Sequence, residues 1–176
     1  MNFFNRVLGI IKIDNQVFKE IEKDNSSTIQ GVLIALLAAC INGLMVRSFF
    51  TDVPILIMIF FWVLLNLYFL SFIMNVLGYQ AFPEGKSKSK YKNLLRLIGY
   101  SYTPELAKFL LFFYPNLLQV ISLGTFIWVI ACQGLAIKMI FNFKSFWKSL
   151  GIVILSYVIQ LFTVATFIYL LLLLKV

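Results

Sequence analysis

From residue 28 onward the chain runs in long apolar blocks separated by short polar breaks, whereas residues 1–27 alternate between apolar and charged positions. A helix that crosses about 30 Å of hydrocarbon needs about 20 mostly apolar residues. Five blocks reach that length: 28–46, 53–77, 94–113, 117–137 and 150–174. Ser27 and Gln30 stand at capping-box spacing before the first block, and Arg47 supplies a cation at its end. Asp52 as N-cap with Pro54 just inside opens the second, and Gly78 stops it. Pro115 and Asn116 leave room for nothing but a tight helical hairpin between the third and fourth. The third block is the irregular one, with Gly99, Pro104, Glu105 and Lys108. Pro104 lacks a backbone donor and frees the carbonyl near Tyr100, which predicts a kink or local unwinding. The pattern therefore predicts an all-α polytopic membrane protein. Residues 28–176 form five transmembrane helices, and residues 1–27 form a cytoplasmic amphipathic interfacial segment.

Within that first segment, at about 100° per residue, Phe3, Phe4, Val7, Leu8, Ile10, Ile11, Val17, Phe18 and Ile21 share one half of the helical wheel. Arg6, Lys12, Lys19 and Lys23 take the other. Asp14, Asn15 and Glu22 intrude on the apolar face, which predicts two helices with a break near Asp14. Such a segment lies in the interface plane with its apolar face down. Two readings remain: an anchor packed on the bundle, or a curvature-sensing or partner-binding helix.

Composition agrees with the pattern. Hydrophobic residues make up 61% and charged residues 12%, about half the charge of a soluble domain. Histidine is absent, so His-based triads, His-rich zinc sites and His haem ligation are excluded. With no metal cluster and no recognisable nucleophile–base set, neither an enzyme nor a cofactor is expected. The net charge of +8 reads first as orientation. Arg6, Lys12, Lys19, Lys23, the 86–96 stretch (Lys86, Lys88, Lys90, Lys92, Arg96) and Lys138, Lys144 and Lys148 all fall on one side. Arg47 and Lys175 fall on the other. The positive-inside rule then puts the N-terminus in the cytoplasm and the C-terminus outside. The run before residue 28 mixes acids with bases, unlike a cleaved signal. An odd number of spans without an internal repeat argues against a simple inverted-repeat transporter.

Several positions are candidates for function. Lys86, Lys88, Lys90, Lys92 and Arg96, with Lys144, Trp147 and Lys148, form a basic and aromatic membrane-facing set. These residues either fix topology or bind anionic lipid or a partner, and nucleic acid is not expected. Glu105 and Lys108, three apart on one face, are close enough for an ion pair, and intramembrane charges mark functional sites by default. Tyr100, Ser101, Tyr102, Thr103 and Pro104 surround them. The pair is either a snorkelling charge near the outer headgroups or a substrate or proton site. Gly31, Ala35, Ala39 and Gly43 recur every four residues, a stripe that serves internal helix packing ahead of dimerisation. Cys40 and Cys132 read as small core residues, neither a disulfide nor a metal pair.

The order of features from residue 86 resembles the Yip family of five-span proteins. A basic loop precedes Gly99-Tyr100-Ser101-Tyr102-Thr103-Pro104, then come a hairpin at Pro115, a fourth span with Trp128, Gly134 and Leu135, and a basic-aromatic loop. The likeness covers roughly residues 5–170. It implies a non-enzymatic membrane protein with a cytoplasmic N-terminus; eukaryotic members act in vesicle traffic through Rab-type GTPases. This chain lacks their long N-terminal region with its Asp-Leu-Tyr-Gly-Pro motif, so GTPase binding is not carried over. A prokaryotic plasma-membrane member fits better. Two functions follow as expectations. One is a membrane-organising or adaptor protein engaging lipid or a membrane or cytoplasmic partner, its oligomeric state open. The other is a small transporter or channel subunit with a polar site at Glu105 and Lys108.

Overall fold

The computed structural model of the chain describes residues 2–45, 53–80 and 91–173. Among them the regular structure is helical throughout, with no strand. Two short helices open the chain, α1 (Phe3–Ile11) and α2 (Asn15–Lys23). They are followed by α3 (Ser27–Met45), α4 (Val53–Gln80) and α5 (Tyr91–Tyr100). A 3-10 helix (Thr103–Phe112) and a single 3-10 turn (Pro115–Leu117) lead into α6 (Leu118–Ile140), and α7 (Phe146–Leu173) ends the described chain. Among the described residues, three stretches are long and apolar enough to cross a membrane: Phe61–Gln80, Pro115–Ile140 and Phe146–Thr166. Asn15–Lys23 and Ser27–Gly43 pass the same test as a pair bent by 116°.

The break near Asp14 is built as the sequence pattern requires. Asp14 accepts from the Gln16 amide and caps α2. The end of α1 is a Schellman turn, in which the Asp14 amide reaches the Gly9 carbonyl at 2.9 Å and the Ile13 amide that of Ile10 at 3.0 Å. Ile13 holds the left-handed position (φ 56°) that glycine normally takes. Its side chain packs against the core, which holds it there.

Three sequence expectations change and one is met. The Ser27–Gln30 capping box does not form: the Ser27 hydroxyl donates to the carbonyls of Ile21 and Asp24, and Gln30 turns to other partners described below. Gly78 does not stop α4, which continues to Gln80. A Cβ at Gly78 would lie 2.4 Å from the Phe141 ring, so the glycine admits that ring against the helix. The unwinding expected at Pro104 is present: α5 ends at Tyr100 and a 3-10 helix begins at Thr103. Without an amide at Pro104 the Tyr100 carbonyl has no helical donor, and the Thr103 hydroxyl takes it at 2.6 Å. The Ser101 hydroxyl caps the Leu97 carbonyl at 2.7 Å, and the backbone proceeds as a 3-10 helix. At about 2.0 Å per residue it extends farther than an α-helix of equal length. Finally, Cys40 is exposed while Cys132 is buried.

The core gathers Ile10, Phe18 and Ile21 from the first two helices with Ile34, Leu67, Met74, Leu94, Leu97, Ile98 and Phe141. The tightest crossing is α3 on α5. A Cβ at Gly99 would lie 2.7 Å from the Gly31 carbonyl, and one at Gly31 would lie 2.9 Å from the Arg96 oxygen. Backbone meets backbone there, as small residues allow. Ala35 is buried, and Ala39 and Gly43 are half-buried. Much of the outer surface of α4, α6 and α7 is apolar, including Phe61, Leu65, Val120, Leu123, Leu161 and Phe162. That is a surface suited to lipid.

Candidate functional site

Two polar clusters lie inside this apolar bundle. The first is built on Arg6, which leaves the polar side of the wheel and is 5% exposed. Helix α1 is apolar on two sides: Phe3, Val7 and Ile10 pack inward, while Phe4, Leu8 and Ile11 are exposed. The guanidinium therefore has no aqueous face and needs internal partners. It donates to Glu20 at 3.0 and 3.2 Å, to Asp24 at 2.5 Å and to Gln30 at 3.0 Å. The Tyr100 hydroxyl donates to the same Gln30 oxygen. Burial alone would lower the Arg6 pKa; its hydrogen bonds to Asp24, Glu20 and Tyr100 more than offset that and raise it. Asp24 is held at about 2, first by the Ser26 hydroxyl and amide and then by Arg6.

One turn away Arg96 is buried too, at 4% exposure. It donates to the Thr28 hydroxyl at 2.7 Å, the Glu22 carbonyl at 2.8 Å and the Asn25 side chain. Sequence reasoning placed Arg96 among the lipid-facing bases; it is instead a clamp between α5 and the α2–α3 corner. Together the two arginines tie α1 and α2 to the bundle. The segment does not merely rest on a membrane surface: Val17, Phe18 and Ile21 are buried in the core. The indole of Trp128 donates to the Ile11 carbonyl at 3.0 Å and fastens the end of α1 to α6.

The second cluster surrounds Glu105. Pro104 sits in the first turn of the 3-10 helix, and side chains three apart eclipse in that geometry. Lys108 thus stacks on Glu105, with Nζ 2.5 Å from Oε2. Asn42 of α3 closes a ring: its Nδ2 donates to Glu105 Oε2 at 3.1 Å, and its Oδ1 accepts from Lys108 at 3.0 Å. On α6, Gln133 is fully buried. Its amide lies within hydrogen-bonding reach of the phenols of Tyr102 and Tyr157.

Of the residues singled out from sequence, Tyr102, Glu105 and Lys108 share this second cluster, and Tyr100 belongs to the first. Ser101, Thr103 and Pro104 serve the backbone. Lys92, Lys144, Trp147 and Lys148 are exposed, while Lys86, Lys88 and Lys90 lie outside the described residues. Sequence reasoning missed Asn42, Gln133 and Tyr157. Their signal was available: amides inside otherwise apolar blocks are costly unless matched. It also missed the burial of Arg6, because a wheel drawn on one helix cannot show that the neighbouring face is apolar as well. Among the described residues, no group of His, Cys, Asp and Glu could hold a metal ion.

A family model described as the Yip1 domain matches residues 8–168. This chain belongs to the Yip1-domain family. No curated protein matches it, and no solved structure does. The Glu105 cluster lies wholly within the matched Yip1 domain, whereas Arg6 precedes it by two residues.

Proposed function

We propose that this Yip1-domain protein is a non-enzymatic, five-span membrane-organising protein that engages lipid through its cytoplasmic face. The observation that carries the reading is the clamped helical hairpin. Arg6 and Arg96 fix α1 and α2 rigidly to the bundle, while Phe4, Leu8 and Ile11 project outward at 74%, 53% and 40% exposure. Spaced four and three apart, they make one apolar stripe along α1. A rigid apolar wedge seated in one leaflet displaces lipid there and leaves the other leaflet untouched. Exposed Lys92 and Lys144 each add on the order of 1 kcal/mol of attraction to anionic headgroups. A basic, apolar face of this kind also suits an adaptor, and a membrane or cytoplasmic protein partner would dock on it. In this reading the broken third block spans as α5 plus the 3-10 helix, and the protein resides in a prokaryotic plasma membrane.

The test is reconstitution into liposomes containing anionic lipid, imaged by electron microscopy. The wild type narrows or tubulates vesicles, and a variant carrying Phe4→Ser, Leu8→Ser and Ile11→Ser does not. Equal remodelling by both would remove the wedge. Orientation is tested separately, after replacing both native cysteines, with Ser89→Cys and Asn116→Cys. An impermeant thiol reagent added to intact cells labels position 116 and spares 89; the reverse would invert the topology.

A further inference from the structure

We propose that the groove between α4 and α7 binds a membrane-soluble isoprenoid quinone, taken up directly from the bilayer. This goes beyond the membrane-organising reading and does not depend on it.

The groove has a volume of about 700 Å3, within the roughly 300–1,000 Å3 of a small-molecule site. Six of its eleven described lining residues are aromatic, among them Phe61, Trp62, Phe69 and Phe72 of α4 and Tyr91 of α5. None of the eleven carries a charge. At its rim Trp62, Leu65 and Phe72 are exposed, and the stretches Phe61–Gln80 and Phe146–Thr166 that flank it are long and apolar enough to span. What fills the groove therefore comes from the bilayer and is uncharged where it lies.

One polar feature separates this occupant from an ordinary acyl chain. Asn66 lines the groove; its Oδ1 accepts from Gln160 Nε2 at 2.6 Å, and its Nδ2 donates to the Trp62 carbonyl at 2.7 Å. A backbone carbonyl only accepts, so the orientation of the amide is fixed. Nδ2 carries two hydrogens, and the second is a donor for the groove. Asn66 stands thirteen positions from one end of α4 and fourteen from the other. Gln160 stands fourteen and thirteen from the ends of α7. At about 1.5 Å per residue both amides are roughly 20 Å from either helix end, near the middle of the membrane. A phospholipid keeps its polar atoms at the edge of the hydrocarbon, about 15 Å away. A quinone head is neutral and planar, enters hydrocarbon, and carries carbonyl oxygens. One oxygen accepts the Asn66 hydrogen, and the ring lies against the aromatic walls. From Phe61 to Phe72 the α4 wall is about 16 Å long, which leaves an apolar channel for the tail. Thr163, also in the lining, donates its own hydrogen to the Ile159 carbonyl at 2.9 Å. Its oxygen remains an acceptor, suited to the hydroxyl of the reduced form.

The experiment uses the purified full chain in quinone-free nanodiscs, with a decyl-benzoquinone as the probe and tryptophan fluorescence as the readout. The quinone quenches saturably, at about one per chain, although nanodisc phospholipid is present in large excess. Trp62→Phe loses the saturable part and keeps only the unsaturable quenching of exposed Trp128 and Trp147. Decylbenzene, which has the ring and tail without the carbonyls, competes several-fold more weakly than the unreactive excess of its size alone predicts. The double variant Asn66→Leu with Gln160→Leu strands no amide; it binds quinone several-fold more weakly and no longer prefers it over decylbenzene. Should the double variant fail to remain monodisperse, the wild-type preference and the Trp62→Phe result decide. Quenching that never saturates would give the groove to acyl chains and overturn the proposal. So would saturable quenching that survives in Trp62→Phe, or equal affinity of the wild type for decylbenzene.

Discussion

Gly99→Ala adds one methyl group at the closest approach of α3 and α5. The new Cβ falls 2.7 Å from the Gly31 carbonyl carbon and oxygen and 3.0 Å from its Cα. Carbon atoms prefer about 3.5–4.0 Å, so the helices must part by roughly 0.5–1 Å along a crossing that also holds the Arg96–Thr28 bond at 2.7 Å. Overpacking costs about 1–3 kcal/mol. Both obstacles here are backbone and cannot rotate away, which puts this site in the upper part of that range. Alanine is the better helix former by about 0.8–1.0 kcal/mol. The net loss is about 1–2 kcal/mol, or a fall of roughly 2–8 °C in Tm for a chain of this size. The control is Gly124→Ala on α6, where a Cβ meets nothing within 4 Å; its Tm is unchanged or raised. Thermal unfolding is followed by a thiol-reactive dye on buried Cys132, after Cys40→Ser removes the exposed thiol. A Gly99→Ala protein as stable as Gly124→Ala would refute the close crossing.

Other outcomes follow from the same geometry. Arg6→Met removes the clamp of the hairpin, and amide exchange in residues 3–11 rises on the order of tenfold while α6 and α7 keep their protection. Asp24 titrates at about 2 against 3.8 ordinarily, so its contribution is fully present above about pH 4. It is lost as the pH falls through about 2. Limited proteolysis of the hairpin against pH reads that window, and Ser26→Ala, by removing the hydroxyl bond, moves the loosening to higher pH. Lys144→Gln lowers the anionic lipid retained through purification by about fivefold, the equivalent of about 1 kcal/mol; unchanged retention would show that Lys144 does not face headgroups.

How much of this was readable in advance depends on the range of the interaction concerned. The break at Asp14 and the unwinding at Pro104 follow from chemistry within a few residues: an Asx cap in one case, a missing amide in the other. The ion pair of Glu105 and Lys108 is likewise local, since eclipsing at three residues is a property of the helix type. Gly78 misled for the opposite reason. Glycine signals both a helix stop and a close approach, and Phe141, far along the chain, selects the second. Arg96 misled in the same way, because its partners Glu22, Asn25 and Thr28 lie some seventy positions away.

The sequence by itself determined the class of molecule, its apolar blocks, its amphipathic lead-in and the family to which it belongs. Each of these depends on composition and short-range periodicity. Only the tertiary structure decided which charges are solvated and which are enclosed. Two arginines that looked like surface bases became internal clamps, and of two amides hidden in apolar runs Asn42 came to bond Glu105 and Gln133 came to lie against Tyr102 and Tyr157. Burial is a property of the neighbouring elements, and a single helix cannot specify what will pack against it.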